Sequence, residues 1–115
     1  MDLEEIKNIR YNEIDLNTKY LISKGFVFGV NTFSLSITAQ INWSNILNIP
    51  DQLFPLNVVD KDENLFVLEL NNKMNFCLSA LNSKNQHLQS GGVLKSQIKA
   101  CLTEEEVCLI VDNRE

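Results

Sequence analysis

The segment 25–43 restricts the fold more than any other part of this 115-residue chain. Two short apolar runs, residues 26–28 (FVF) and 32–34 (TFS), flank a tight turn and predict an antiparallel β-hairpin. Glycine and asparagine tolerate the positive φ angles of such turns, so Gly29 and Asn31 are expected to supply them. The segment describes a hairpin followed by an amphipathic element, and it contains no reactive group with a partner.

The element after this hairpin is ambiguous from its pattern. Apolar residues alternate over 35–43, as in a strand, but the spacing over 37–47 also fits one face of a helix. Ser34 or Ser36 is placed to cap a helix, and Pro50 follows its expected end. We favour a helix over 36–47, with the strand as the alternative.

Two further elements are clearer. Residues 3–23 have the apolar periodicity of a helix, with Asp2 placed to cap its start and Gly25 placed to end it. Residues 56–59 and 65–70 are rich in β-formers and flank a polar tip, which predicts a second hairpin.

The C-terminal part is predicted to be helical. Residues 72–89 form a clear helix, and Gly91-Gly92 is expected to interrupt or end it before a further apolar stripe over 94–102. Thr103-Glu-Glu-Glu106 has the spacing of a capping box and begins a last short helix. A polar tail starts at Asp112. The buried stripe of the long helix is expected to consist of Met74, Cys77, Leu78, Leu81, Asn85 and Leu88.

These elements predict a single small α+β domain over residues 1–115, in which two antiparallel β-hairpins pack against three or four helices. The predicted order is an N-terminal helix (1–24), a hairpin–helix–hairpin segment (25–70) and C-terminal helices (71–112). A chain of this length can bury a core without disulfides or metals.

Composition excludes several classes of function. The formal net charge of −5 argues against nucleic acid and against an anionic membrane surface as partners, since both require clustered Lys and Arg. No apolar run approaches the length of a membrane span. The start of the chain is acidic, unlike a signal peptide, and the three cysteines lack ligand spacing and are expected to be buried free thiols. A reducing compartment follows from this expectation.

The residues predict neither a catalytic site nor a bound cofactor or metal. His87 is the sole histidine, and no sequence cue places a nucleophile or an orienting group beside it. Asp60 to Asn64 has the first spacings of a calcium loop, but Leu65 stands where that loop needs Gly and Asn71 where it needs Glu. We therefore expect a charged hairpin tip, and no enzyme.

The candidate contacts to a partner are apolar. Phe54 lies between Leu53 and Pro55 in a predicted loop and is a candidate for an exposed anchor. Trp43 is included as a further contact, although aromatic residues of a small α+β domain more often fill its core.

Nearly the whole chain, residues 9–114, resembles an uncharacterised domain family of tailed bacteriophages and prophages. The resemblance depends on the order and spacing of many short motifs. These include Ile14-Asp-Leu-Asn-Thr18, Phe33-Ser-Leu-Ser36, Ala39-Gln40, Asn42-Trp43, Phe54-Pro55, Asp60-Lys-Asp-Glu-Asn64, Ala80-Leu81, Leu94-Lys-Ser-Gln-Ile98, Thr103-Glu-Glu-Glu106 and Val111-Asp-Asn-Arg114. Members of the family are often encoded near tail-fibre and baseplate genes.

The resemblance implies a non-enzymatic, virion-associated structural protein, a component of the tail or fibre that acts through protein–protein contacts. Two alternatives stay open: a tail-fibre assembly chaperone that is not retained in the virion, and a small phage protein that binds a host factor or ligand. Other tail or fibre proteins are the expected partners, with self-association left open. The expected location is the virion or the host cytoplasm.

Overall fold

The computed structural model describes all 115 residues and confirms the α+β fold, with four α-helices and two small antiparallel sheets. In chain order the elements are α1 (Leu3–Ser23), β1 (Phe26–Phe28), β2 (Asn31–Phe33), α2 (Ile37–Ile46), β3 (Leu56–Val59), β4 (Leu65–Leu68), α3 (Lys73–Lys99) and α4 (Glu104–Cys108). Single turns of 3-10 helix over Asp51–Leu53 and Leu70–Asn72 precede β3 and α3.

Packing divides the chain into two compact units. The aromatic unit comprises residues 22–85, and the terminal unit comprises residues 1–21 together with 86–115. Helix α3 contributes residues to both units. The predicted segments follow the order of the elements along the chain, whereas one of the compact units combines the two ends of the chain.

Both predicted hairpins are present in the aromatic unit, as two separate two-stranded sheets. In the first sheet, Phe26 lies opposite Phe33, so that both rings point to the same face. The backbone N–H of Lys61 donates to the carbonyl of Thr32 at 2.8 Å. This bond ties the tip of the second hairpin to β2 without joining the two pairs into one sheet.

The turns explain two of the glycines and correct one prediction. Gly25 has a φ of +85°, and a Cβ at this position would lie 2.1 Å from the carbonyl oxygen of Phe33, so a larger residue does not fit. Gly29 has a φ of +64° and opens the first hairpin turn, as predicted. Asn31 does not have a positive φ. Its side-chain amide instead donates to Asp60 Oδ2 at 2.9 Å.

Helix α2 settles the ambiguity between strand and helix in favour of the helix. The Ser36 hydroxyl accepts from the backbone N–H of Ala39 at 3.1 Å and caps the first turn. Ala39, Trp43 and Ile46 are its buried residues. The spacing of three and four residues between them places them on one face.

The core of the aromatic unit is built mainly from interlocking rings, namely Phe26, Phe28, Phe33, Trp43, Phe66 and Phe76. Phe76 of α3 is fully buried and meets the rings of Phe26, Phe28, Phe33 and Trp43 at centroid distances of 5.0–5.3 Å. Most of the pairs are edge-to-face, the geometry in which the positive ring edge meets a negative ring face.

The terminal unit has a smaller, mostly aliphatic core, formed by Ile14, Ile98, Cys101 and Val107. Its helix starts are capped as the sequence predicts. Asp2 Oδ1 accepts from the backbone N–H of Glu5 at 2.8 Å, and Thr103 Oγ1 accepts from that of Glu106 at 3.2 Å. The Glu106 carboxylate in turn accepts from the N–H of Leu102 at 2.7 Å and completes a variant of the capping box.

The predicted interruption at Gly91-Gly92 is wrong, because α3 continues through both glycines. Gly91 is buried in the terminal unit, and a Cβ on it would lie 2.6 Å from Thr18 Oγ1 and 3.1 Å from Arg114 Nη1. Glycine costs a helix about 1 kcal/mol relative to alanine. The close approach of Thr18 and Arg114 gives the reason for a glycine at the first of the two positions.

The predicted buried stripe of α3 is also wrong for most of its members. Phe76, Cys77 and Ala80 are buried, whereas Met74, Leu78, Leu81 and Leu88 are 43–56% exposed. The helix is apolar on two faces, and the face that carries the aromatic ring is the one that faces the core. The sequence pattern thus assigns to the interior a stripe of residues that the structure places on the surface.

Candidate functional site

The structure places the three predicted partner contacts in different environments. Leu53 ends a turn of 3-10 helix and is 60% exposed. Phe54 is half-buried against the aromatic core, with Lys73 Nζ 5.2 Å from its ring centroid. Trp43 is buried, and its indole N–H donates to the carbonyl of Ser34 at 2.7 Å. Leu53 is thus the exposed residue of the three, while Trp43 reaches the surface only as part of a cleft wall.

The cleft lies within the aromatic unit, between α2 and α3, and has a volume of about 150 Å³. We call it the α2–α3 cleft. Its lining is Gln40, Trp43 and Ser44 of α2 with the following residue Leu47, Cys77, Ala80, Leu81 and Lys84 of α3, and Leu35. The lining residues of each helix are spaced i, i+3, i+4 and i+7, so each helix contributes one face about two turns long.

The two polar side chains on the α2 side of this cleft donate hydrogen bonds within the chain. The side-chain amide of Gln40 donates to the carbonyl of Leu35 at 2.7 Å, and the Ser44 hydroxyl donates to the carbonyl of Gln40 at 2.9 Å. An apolar partner side chain could therefore enter without leaving these groups unpaired. Lys84 differs, because its ammonium group forms no salt bridge or hydrogen bond.

The thiol in the cleft is a structural group. Cys77 Sγ donates to the carbonyl of Trp43 at 3.3 Å. Burial raises the pKa of the Cys77 thiol, and the positive charge of Lys73 only partly offsets this effect. The thiol is therefore protonated at neutral pH and is a poor nucleophile.

Exposed apolar residues extend the cleft on both helices. Ile37 and Ile41 of α2 are 79% and 56% exposed, and Met74 and Leu78 of α3 are 56% and 43% exposed. In both helices, each of these residues lies three positions before a cleft-lining residue and is therefore its neighbour on the helix surface. The apolar surface is therefore broader than the cleft itself.

Charge is almost absent from this surface. Residues 25–50 contain no Asp, Glu, Lys or Arg, and α3 contains four Lys but no acidic residue, in a chain of net charge −5. Depletion of charge together with exposed apolar side chains is typical of the centre of a protein–protein interface. The charge-free run was visible in the sequence, but only the structure reveals which of its apolar residues are exposed.

The terminal unit contains a polar cluster that the sequence did not reveal, which we call the Arg114 clasp. Arg114 Nε and Nη2 donate to the two Asp112 carboxylate oxygens at 2.9 and 2.8 Å. Nη1 donates to the carbonyl of His87 at 3.0 Å and to Ser90 Oγ at 3.1 Å, and Nη2 also donates to Thr18 Oγ1 at 2.9 Å. The predicted polar tail is thereby fixed to the helices of its own unit.

The hydrogen bonds from Arg114 lower the pKa of the Asp112 carboxyl to about 2. The same carboxylate raises the pKa of Arg114. An open groove of about 610 Å³ lies beside the clasp, lined by Gln86, Gln89, Ser90, Val93, Leu94, Val111, Asn113 and Arg114. Because the donors of Arg114 are engaged within the unit, the clasp stabilises the structure and offers no free guanidinium to an anion.

The remaining candidate residues have structural roles or no ligand geometry. Asp60 Oδ1 accepts from the backbone N–H groups of Asp62 and Asn64 at 2.8 and 2.9 Å, as expected for a hairpin tip. No three His, Cys, Asp or Glu side chains group as metal ligands. The three cysteines are free, but Cys108 is exposed, so the prediction of a buried thiol is wrong there.

None of the helices combines the length and the apolar character needed to cross a bilayer. Comparison of the chain with protein-family models, with curated proteins and with solved structures yields no match.

Proposed function

We propose that this chain is a non-enzymatic protein that acts through protein–protein contacts, and that the α2–α3 cleft is its main contact surface. The observation that supports this proposal most strongly is that α2 exposes apolar residues and contains no charged residue. A cleft of about 150 Å³ accommodates one or two side chains of a partner. Pockets for drug-sized ligands are larger, about 300–1,000 Å³, which disfavours small-molecule binding there.

The biological setting that we propose is a tailed-phage particle, with other tail or fibre proteins as partners. Its support is the resemblance of residues 9–114 to the phage and prophage family. The setting and the contact surface are separate parts of the proposal, because the first is based on motif order and the second on burial and charge.

Particles of a phage that carries this gene provide the test. We expect quantitative mass spectrometry of purified particles to find the chain in a fixed ratio to the tail proteins. Leu81→Asp should strongly reduce its incorporation by placing a carboxylate in the cleft. Leu16→Asp is the matched control, since Leu16 is 67% exposed on α1 in the terminal unit.

Three results would overturn parts of this proposal. A chain that is absent from particles but bound to a fibre protein in infected cells would be an assembly chaperone. A chain found in neither form would contradict the phage setting. Equal incorporation of Leu81→Asp and Leu16→Asp would remove the cleft as the contact surface.

A further inference from the structure

The lining of the α2–α3 cleft carries one positive charge and no negative charge. Lys84 is the only ionisable group of its lining apart from the Cys77 thiol, and its ammonium has no ionic partner. Lys73, at the start of α3, differs in this respect, because its ammonium pairs with Asp51 at 3.1 Å and donates to the carbonyl of Ile49 at 2.8 Å. The lining residues include no carboxylate. An occupant that carries a carboxylate would therefore complete the charge pairing at Lys84.

The shape of the cleft favours a helix as the occupant. Its two walls are helix faces that extend over eight residues each, about 10 Å along the axis. A third helix packs into the groove between two helices through apolar residues at i, i+3 or i+4, and i+7. The exposed pairs Ile37/Ile41 and Met74/Leu78 would give such a helix apolar contacts beyond the cleft lining.

We propose that the α2–α3 cleft binds an amphipathic helix of a different protein, whose apolar stripe places one or two side chains in the cleft and packs its other members on the exposed apolar residues beside it, and whose Asp or Glu pairs with Lys84. This inference rests on the proposed function and names the chemistry of the partner. A second copy of the chain is the less favoured occupant. Its own α2–α3 surface would bring a second unpaired Lys84 and no carboxylate from either helix, so its charge is not complementary.

The test is a selection from a displayed library of 18-residue helical peptides on the intact protein, with counter-selection against the Leu81→Asp variant. We expect enriched peptides to carry large apolar residues at the spacings above and one acidic residue beside the stripe. Lys84→Glu should weaken their binding about ten-fold or more. Changing the acidic residue of a peptide to Lys should restore its binding to Lys84→Glu.

Circular dichroism and Trp43 fluorescence establish that both variants are folded. Failure to enrich helical peptides, or equal binding to wild type and Lys84→Glu, would overturn the inference. A dimer of the wild-type chain that Leu81→Asp dissociates in sedimentation experiments would identify a second copy as the occupant. The incorporation test is independent of the peptide selection. If Leu81→Asp reduces incorporation into particles but no helical peptide is enriched, the proposed function stands and only this inference is refuted.

Discussion

Residues 22–85 pack around interlocking aromatic rings, whereas residues 1–21 and 86–115 pack around a few aliphatic side chains and the Arg114 clasp. In the aromatic unit, Phe76 touches four other rings and is fully buried. In the terminal unit, one guanidinium bonds groups on α1, on α3 and on the tail. Burial of apolar area should therefore dominate the stability of the first unit, and directional polar bonds should contribute more to the second.

Buried and exposed residues show the same contrast. The terminal unit buries the charged side chain of Lys7, whose ammonium donates to the carbonyl of Lys99 at the end of α3 at 2.9 Å. The aromatic unit exposes Ile37, Met74 and Leu81. The terminal unit also exposes apolar residues, such as Leu16, but its helix α1 carries charged residues along its length, whereas α2 carries none. The exposed apolar residues beside an uncharged helix are why we assign binding to the aromatic unit.

The largest expected effect tests the aromatic core. Phe76→Ala should lower the free energy of unfolding by about 3–5 kcal/mol, because it removes a ring from the centre of the cluster and leaves a cavity. Leu78→Ala is the matched control on the same helix and should cost less than about 1 kcal/mol, since Leu78 is 43% exposed. Urea denaturation followed by Trp43 fluorescence measures both. Similar losses for the two variants would contradict the assignment of the buried face.

The second prediction concerns the Arg114 clasp. Arg114→Ala should lower the free energy of unfolding by about 2–3 kcal/mol, because it removes the charged partner of Asp112 and a donor to Thr18. Hydrogen exchange should increase in residues 86–115 more than in residues 22–85. Arg114→Lys keeps the charge without the two parallel bonds and should recover only part of the loss. Unchanged exchange near the tail would show that the clasp is dispensable.

Acid should weaken the clasp before it affects the aromatic rings. The pKa of Asp112 is lowered to about 2, so its contribution is present above the carboxyl pKa of the unfolded chain, about 3.9, and is lost as the pH falls through 2. We expect a loss of about 1–2 kcal/mol between pH 5 and 2, allowing for screening by water near the surface.

Asp112→Asn should make stability less dependent on pH in this range. It should not abolish the dependence, because hydrogen bonds from Asn31 and from the hairpin tip lower the pKa of Asp60 in the aromatic unit. Denaturant midpoints measured at several pH values decide this. An identical acid profile for wild type and Asp112→Asn would refute the role assigned to this carboxylate.

The smallest effects concern the two adjacent glycines of α3 and should have opposite signs. Gly91→Ala should destabilise by about 1–2 kcal/mol, because the new methyl group would displace Thr18 or Arg114. Gly92→Ala should stabilise by about 0.5–1 kcal/mol, because no atom lies within 4 Å of the added Cβ and alanine favours the helix. Thermal unfolding of both variants measures the difference. Equal shifts would mean that Gly91 is not in close contact with the clasp.

The sequence predicted the kind and the approximate bounds of most elements, because those signals are local. Gly25 adopts the left-handed backbone that glycine tolerates best, Ser36 and Thr103 cap helices, and the β-formers of 56–59 and 65–68 pair around a polar tip. Each of these features acts within a few residues of the position that shows it. They therefore indicate an α+β chain with two hairpins without reference to any long-range contact.

Only the tertiary structure decided which faces are buried and what covers them. Helix α3 is apolar on two faces, so its periodicity could not indicate that Phe76 enters the core and that Leu81 stays outside. The need for a glycine at position 91 comes from the close approach of Thr18 and Arg114, which are distant in sequence. Burial and long-range hydrogen bonds are properties of the packed elements together. For this reason the α2–α3 cleft and the Arg114 clasp, on which the proposed function and the stability predictions are based, became visible only in the folded chain.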